Sequence, residues 1–203
     1  MPPLSGWTVW ITGFVGKVPA LDQLMRLLVS DFFVPVVICL IMLGLWLGHP
    51  DRARREYYQR AVMNAAVGIG ISALVVRILN VHLFWSRPFL VDDVVVRESA
   101  TQAAQTIFYL PHDPTFPSNA AAVSFAAATG IWLGNRAAGA VLFFLAFLWT
   151  FARFYAGIHF FVDLAGGAMI GVVTGLLMAK VFMPRTEPLP TLVLKLGRML
   201  YIA

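Results

Sequence analysis

A chain of 203 residues that is 60% hydrophobic and 12% charged, with a mean hydropathy of +0.79, falls outside the range of ordinary soluble domains and reads as a membrane protein. Its length suits one domain, residues 1–203, built as an all-α multi-pass bundle of about five to six spanning helices, because each crossing takes roughly 20 apolar residues. The net charge of +5 is read as a topology signal rather than a nucleic-acid footprint, and the single cysteine, Cys39, leaves no basis for a disulfide framework or a cysteine metal site.

The N-terminal MPPLSGW has no basic stretch ahead of an apolar core. No cleavable signal peptide is therefore expected, and insertion would rely on the first spanning helix. Next, Leu21, Leu24, Met25, Leu28 and Val29 recur at helical spacing with Asp22, Gln23 and Arg26 between them. That pattern predicts a helix lying at the membrane interface or leading into the first crossing. Five apolar runs follow, at residues 32–48, 61–84, 120–133, 139–151 and 164–183. Several are short for a crossing, so residues 117–119 and 152–155 are expected to extend them. Gly167, Gly171 and Gly175 recur every four residues in the last run and predict a close helix contact. The tail, residues 192–202, carries Lys195 and Arg198 in an apolar background and predicts a second surface helix. No repeat, low-complexity tract or glycine-rich nucleotide loop is found.

Basic residues orient the bundle. Arg52, Arg54, Arg55 and Arg60 follow the first run, Arg136 lies in the turn GNRAAG, and Lys180, Arg185, Lys195 and Arg198 attend the end of the last run. The positive-inside rule places these in the cytoplasm and puts residues 85–117 and 153–163 on the other side of the plasma membrane. On that outer level the polar residues converge: Arg87 before Pro88, Ser118 and Asn119 opening the third run, and Arg153, His159 and Asp163 between the fourth and fifth. Two guanidinium forks and the free amides of a helix start make a phosphate pocket. His159 and Asp163 are four apart, so on a helix the carboxylate would hold one ring nitrogen and leave the other as a nucleophile. Ionisable groups at the ends of apolar helices are a functional-site hypothesis by default.

Arg87-Pro88, Pro117-Ser118-Asn119 and Arg153-x5-His159-x3-Asp163, in that order and spacing, resemble the three-part signature of the type 2 phosphatidic acid phosphatase superfamily. By motif the resemblance covers residues 80–163. Among its branches, small bacterial undecaprenyl-diphosphate phosphatases are most similar in length and around FWSRPF and FPSN. The resemblance implies a metal-independent lipid phosphatase needing no cofactor, acting through a phosphohistidine on His159 with Asp163 orienting the ring. It implies phosphate binding by Arg87, Arg153, Ser118 and the backbone near Asn119. The partners implied are the bilayer and a lipid with a phosphate or diphosphate headgroup, not nucleic acid.

Two positions depart from the family pattern. Asn80 stands where the first motif usually has Lys, and Arg77, a turn earlier, is a candidate replacement charge. Ala120 stands where the family has the His that protonates the leaving group. A general acid is worth about 10²- to 10⁴-fold in rate, and its loss is better tolerated when the leaving group is a lipid phosphate than when it is an alkoxide. The expectation is therefore a polyprenyl diphosphatase, silenced or weakened at Ala120, with a deliberate silencing as the leading account. His112 is a candidate substitute acid. Asp92, Asp93 and Glu98 are read as a solvated loop rather than a metal site. Residues 85–117 are expected to form a lid, with Trp85, Phe89, Phe108 and Tyr109 at the interface where a lipid enters. The alternatives are a phosphatidic acid or phosphatidylglycerophosphate phosphatase, and a lipid-phosphate binding or transport protein without catalysis.

Overall fold

In the computed structural model, residues 5–83 and 85–200 are described. The residues before Ser5, Phe84 in the second apolar run, and Tyr201 and Ile202 of the expected tail helix lie outside that set. Helix α1 (Ser5–Thr12) precedes α2 (Pro19–Val29), whose proline sits in the first turn, where its missing N–H costs nothing. Met25, Leu28 and Val29 turn inward as the periodicity predicts, but Asp22 is buried with them. Its carboxylate accepts from the Tyr155 hydroxyl at 2.6 Å and from the Gly16 amide at 3.0 Å, which satisfies a charge that the sequence alone placed on the polar face. A 57° bend at residues 30–32 joins α2 to α3 (Phe33–Leu47), and the two together are long and apolar enough for one broken span or a re-entrant loop.

Helix α3 is apolar all round and buries only the stripe Val34, Ile38 and Met42, leaving Phe33, Val36, Leu40 and Leu43 exposed. That suits a helix solvated by lipid on most sides. Helix α4 (Arg52–Leu83) has 32 residues, about 48 Å, against a hydrocarbon core of about 30 Å. The excess is its polar start, RARREYYQR. Helix α5 (Val94–Ile107) is capped by Asp93, whose carboxylate accepts from the amides of Val95 and Val96 at 3.1 and 3.2 Å. Capping accounts for this acidic residue. Helix α5 packs on α1 and α2 at the flank of the molecule. The expected lid is thus not one unit: its helical part braces the N-terminal helices, while Arg87 before that helix and the stretch from Tyr109 to Pro117 after it reach the site.

Small residues set the centre. Helix α6 (Asn119–Trp132) is rich in alanine and packs against α4, against α7 (Arg136–Tyr155) and against α8 (Phe161–Leu177). A Cβ added at Gly171 would stand 2.3 Å from the Ala122 carbonyl, and one at Gly130 would stand 2.6 Å from Ala65 Cα. Gly167 and Gly175 face α6 just as tightly, at 2.3 Å from the Ser118 carbonyl and 2.8 Å from Thr129 Cβ. The glycine spacing read in the last run is therefore the α6–α8 interface.

The five apolar runs correspond to α3, α4, α6, α7 and α8. Residues 152–155 complete α7, whereas Pro117 and Ser118 stay outside α6. Three stretches among the described residues are long and apolar enough to cross a membrane, or four if the bent α2–α3 pair is one span. Helix α6 spans only about 21 Å over its 14 residues and is enclosed by its neighbours instead of facing lipid. After α8 the chain passes through a π-helical turn (Met178–Phe182) into α9 (Met183–Arg185) and α10 (Leu189–Met199). Helix α10 is the expected surface helix. It buries Pro190, Leu194 and Gly197 and is tied to the start of α4 by Arg198 to Glu56 at 2.6 Å and Arg60 to Thr191 at 2.9 Å. Arg60 also pairs with Glu187.

Candidate active site

At the end of the bundle away from those basic segments lies a polar cavity of about 310 Å³. Arg87, Arg153, His159, Asn119 and Ala120 line it, so four of the sequence-predicted polar residues and the acid position meet in one place. They arrive from separate elements: a loop before the 3₁₀ turn Pro88–Leu90, the last turn of α7, the α7–α8 connection, and the first turn of α6.

The α7–α8 connection turns on Gly157, which has φ +67 and whose absent Cβ would meet Thr12 Cγ2 at 2.9 Å and Ala100 Cα at 3.0 Å. Both the conformation and the crowding call for glycine. His159 follows in a bend, Phe160 is extended, and α8 begins only at Phe161, so His159 and Asp163 do not share a helical face as their spacing suggested. Asp163 instead caps α8, with Oδ2 accepting from the Phe160 amide at 2.7 Å. Its separation from His159 Nδ1 is 3.6 Å, beyond hydrogen-bonding range. Between them stands Thr115, whose hydroxyl lies 2.5 Å from Asp163 Oδ2 and 3.1 Å from His159 Nδ1, with its carbonyl also 3.1 Å from Nδ1. Burial pushes the His159 pKa below its ordinary range, Asp163 opposes the shift, and Arg87 adds to it. The ring is therefore neutral at neutral pH.

Both arginines are held by carboxylates. Arg87 is almost fully buried and donates from Nε to the Asp113 carbonyl at 2.8 Å, from Nη2 to Asp113 Oδ1 at 2.9 Å and from Nη1 to the Ile158 carbonyl at 2.7 Å. Arg153 pairs with Asp31 at the α2–α3 bend and lies over the Trp149 ring at 5.1 Å and the Phe108 ring at 5.7 Å. The Tyr109 hydroxyl donates to Asp31 at 3.0 Å. Among the described residues no side chain caps α6, and its first residues, Asn119 and Ala120, line the cavity, which puts the favourable end of the helix dipole beside it. Two arginines and an uncapped helix start can hold a phosphate, and a neutral imidazole beside them can attack it.

Several expected members are placed elsewhere. Ser118 is fully buried, its amide donates to the Asp163 carbonyl at 3.0 Å, and its hydroxyl does not line the cavity. Its N–H is therefore spent on joining α6 to α8 rather than left for an anion. Asn80 is buried within α4 and is not among the lining residues, because its helix turns that face into the bundle. Arg77 is exposed on α4 and His112 is exposed on its loop, and neither lines the cavity. Sequence reasoning missed Thr115, Asp31 and Asp113.

Residues 61–187 match the family model of the PAP2 superfamily. The chain belongs to the PAP2 superfamily. Members of that superfamily are phosphatases, and the lipid phosphatases among this chain's relatives share its architecture. Undecaprenyl-diphosphatase BcrC of Bacillus subtilis (strain 168) is 27% identical over 180 residues, covering 87% of this chain and 82% of the relative. The crystal structure of Aquifex aeolicus LpxE superposes with a TM-score of 0.60 at 25% identity, covering 86% of this chain and 93% of that one. A PAP2 type phosphatidylglycerolphosphate phosphatase from Bacillus subtilis shares the fold, with a TM-score of 0.58 at 19% identity over 93% of this chain and 90% of that one. The PAP2 bundle is thus the frame on which the polar cavity sits.

Proposed function

We propose that this protein is an integral-membrane lipid phosphatase of the plasma membrane that converts a polyprenyl diphosphate, undecaprenyl diphosphate, to its monophosphate on the extracytoplasmic side. The observation that carries the reading is the meeting of Arg87, Arg153, the open start of α6 and a neutral His159 around one cavity. The substrate choice draws on the likeness to a protein named an undecaprenyl-diphosphatase. The side draws on the basic segments gathered at the opposite end of the bundle.

In the proposed sequence, Arg87, Arg153 and the first amides of α6 take the terminal phosphate. The Nε2 lone pair of His159 attacks its phosphorus, an N–P bond forms, and the bond to the bridging oxygen breaks with its electron pair leaving on the lipid monophosphate. Water then attacks the phosphohistidine, the N–P bond breaks, and the pair returns to Nε2 as phosphate leaves. Ala120 lines the cavity, and in this reading a histidine at that position is the donor to the leaving oxygen. With alanine the lipid phosphate departs without a proton from this position, at a cost of about 10²- to 10⁴-fold in rate.

The test is phosphate release in detergent micelles from undecaprenyl diphosphate, phosphatidylglycerophosphate and phosphatidic acid, comparing this chain with Ala120→His. A rise of two or more orders of magnitude with undecaprenyl diphosphate fastest is the expected result. A faster monoester substrate would move the reading to a phosphatidic acid or phosphatidylglycerophosphate phosphatase. Ala120 favours one rival of another class, a lipid-phosphate binding protein. No turnover of any lipid by either protein, alongside saturable lipid binding, would put that rival in place of catalysis.

A further inference from the structure

Thr115 is fully buried and tightly held. Its amide donates to the Trp85 carbonyl at 3.0 Å, and the neighbouring Phe116 ring lies 4.7 Å from Trp85 and against Gly166, where a Cβ would come within 2.7 Å of it. The hydroxyl is thereby fixed between Asp163 Oδ2 and His159 Nδ1.

The donors can be counted. A threonine hydroxyl has one proton, and an ionised carboxylate only accepts, so at 2.5 Å the Thr115 proton goes to Asp163 Oδ2. The hydroxyl oxygen is left as an acceptor toward Nδ1. The Thr115 carbonyl, also 3.1 Å from Nδ1, can only accept. Two acceptors face one ring nitrogen, so that nitrogen carries the proton and Nε2 has the lone pair.

Resting on the phosphohistidine reading above, we infer that Thr115 is a positioning residue that sets the tautomer of His159 and couples Asp163 to the ring. Asp163 at 3.6 Å does not hold the ring by itself. When Nε2 forms its bond to phosphorus the ring becomes a cation that keeps its Nδ1 proton. The Thr115 carbonyl, the Thr115 hydroxyl and Asp163 Oδ2 then surround that N–H at 3.1 to 3.6 Å. The coupling is local in space but spans 44 and 48 residues of sequence.

The experiment has two arms. In the first, ¹⁵N-histidine-labelled protein in micelles at neutral pH is examined by long-range ¹H–¹⁵N NMR, with His159→Asn identifying the His159 signals among the four histidines. The expected result is a predominant Nδ1–H tautomer, a measurable gain of Nε2–H in Thr115→Val, and its reversal in Thr115→Ser, which restores the hydroxyl. In the second, the same changes in the Ala120→His protein give a fall in kcat of about 10²-fold for Thr115→Val with KM within about twofold, recovered largely by Thr115→Ser. Leaving the histidine of a serine protease triad in the wrong tautomer costs about 10⁴, and the retained Thr115 carbonyl accounts for the smaller figure here. An unchanged tautomer in Thr115→Val overturns the inference whatever happens to kcat, since a fall in rate alone would then be structural. Full turnover by His159→Asn in the Ala120→His protein would instead sink the phosphohistidine reading, and the tautomer result would stand apart from it.

Discussion

The two ends of the bundle both pair arginines with carboxylates, and they do so in opposite ways. At the basic end, Arg60 and Arg198 and their partners Glu56 and Glu187 are all partly exposed, with side chains 26 to 41% accessible. At the cavity the cations are buried and the anions are not: Arg87 is 3% accessible against 61% for Asp113, and Arg153 is 10% against 42% for Asp31. An exposed pair clips two surface segments together and is screened by salt. A buried cation needs an anion, while an exposed anion is free to give up its place. The cavity therefore holds two buried arginines whose carboxylate partners reach solvent, which suits the phosphate site proposed above.

The largest effect expected from this contrast is at Arg87. Its side chain joins the loop of Asp113 to the carbonyl of Ile158, next to His159. Arg87→Ala should destabilise the protein by about 1–3 kcal/mol, because the buried Ile158 carbonyl loses its charged donor while the exposed Asp113 carboxylate is left to water. In the Ala120→His background it should also lower phosphate release by at least about 10²-fold. Thermal unfolding and turnover in micelles check the two together. A stability loss below about 1 kcal/mol would mean that Arg87 is held as loosely as the basic-end pairs.

A smaller effect with the opposite sign is expected at Asp31. Its carboxylate occupies Arg153, so a bound phosphate must share or displace it. Removing one charge about 4 Å from a bound phosphate, with screening near that of water, is worth about 1 kcal/mol, or about fivefold. Asp31→Asn should therefore lower the inhibition constant of inorganic phosphate about fivefold in the Ala120→His protein. Weaker phosphate binding would show that Asp31 aims Arg153 at the ligand rather than competing with it.

These residues also mark how far the sequence could be read. Arg87, Asn119, Arg153 and His159 stood out because each interrupts or ends an apolar run on one membrane side, and sidedness follows from alternation. Asp31 and Asp113 gave no such signal, since a carboxylate in a polar connection is ordinary until its partner is known. Thr115 is invisible for a related reason: a loop threonine has no period, and its partners are brought in by folding. Spacing misled where it assumed a helix, as between His159 and Asp163, because α8 starts at Phe161 and uses Asp163 as its cap. Asn80 misled because a motif position gives a residue's place along the chain but not which way its helix face turns. The helices were legible from apolar runs alone. The enclosure of α6 was not, because an alanine-rich run of 14 residues reads as a weak span until three neighbours surround it.

The smallest effect belongs to the basic end and decides whether the contrast is real. Glu56 accepts from Arg198 at 2.6 Å and from Arg60 at 3.3 Å, joining α10 to α4. Glu56→Gln keeps the shape and removes the charge, and partly exposed pairs of this kind contribute about 0–1 kcal/mol each. For a chain of this size that is a fall in melting temperature of about 2–4 °C per kcal/mol. The fall should vanish near 1 M salt, where the screening length is about 3 Å. Turnover of the Ala120→His protein should not change, because the clip lies at the far end of the bundle from the cavity. A larger fall that persists in high salt would mean that α10 is held by a desolvated network. The two ends would then differ in which partner is buried, not in how much the pairing contributes.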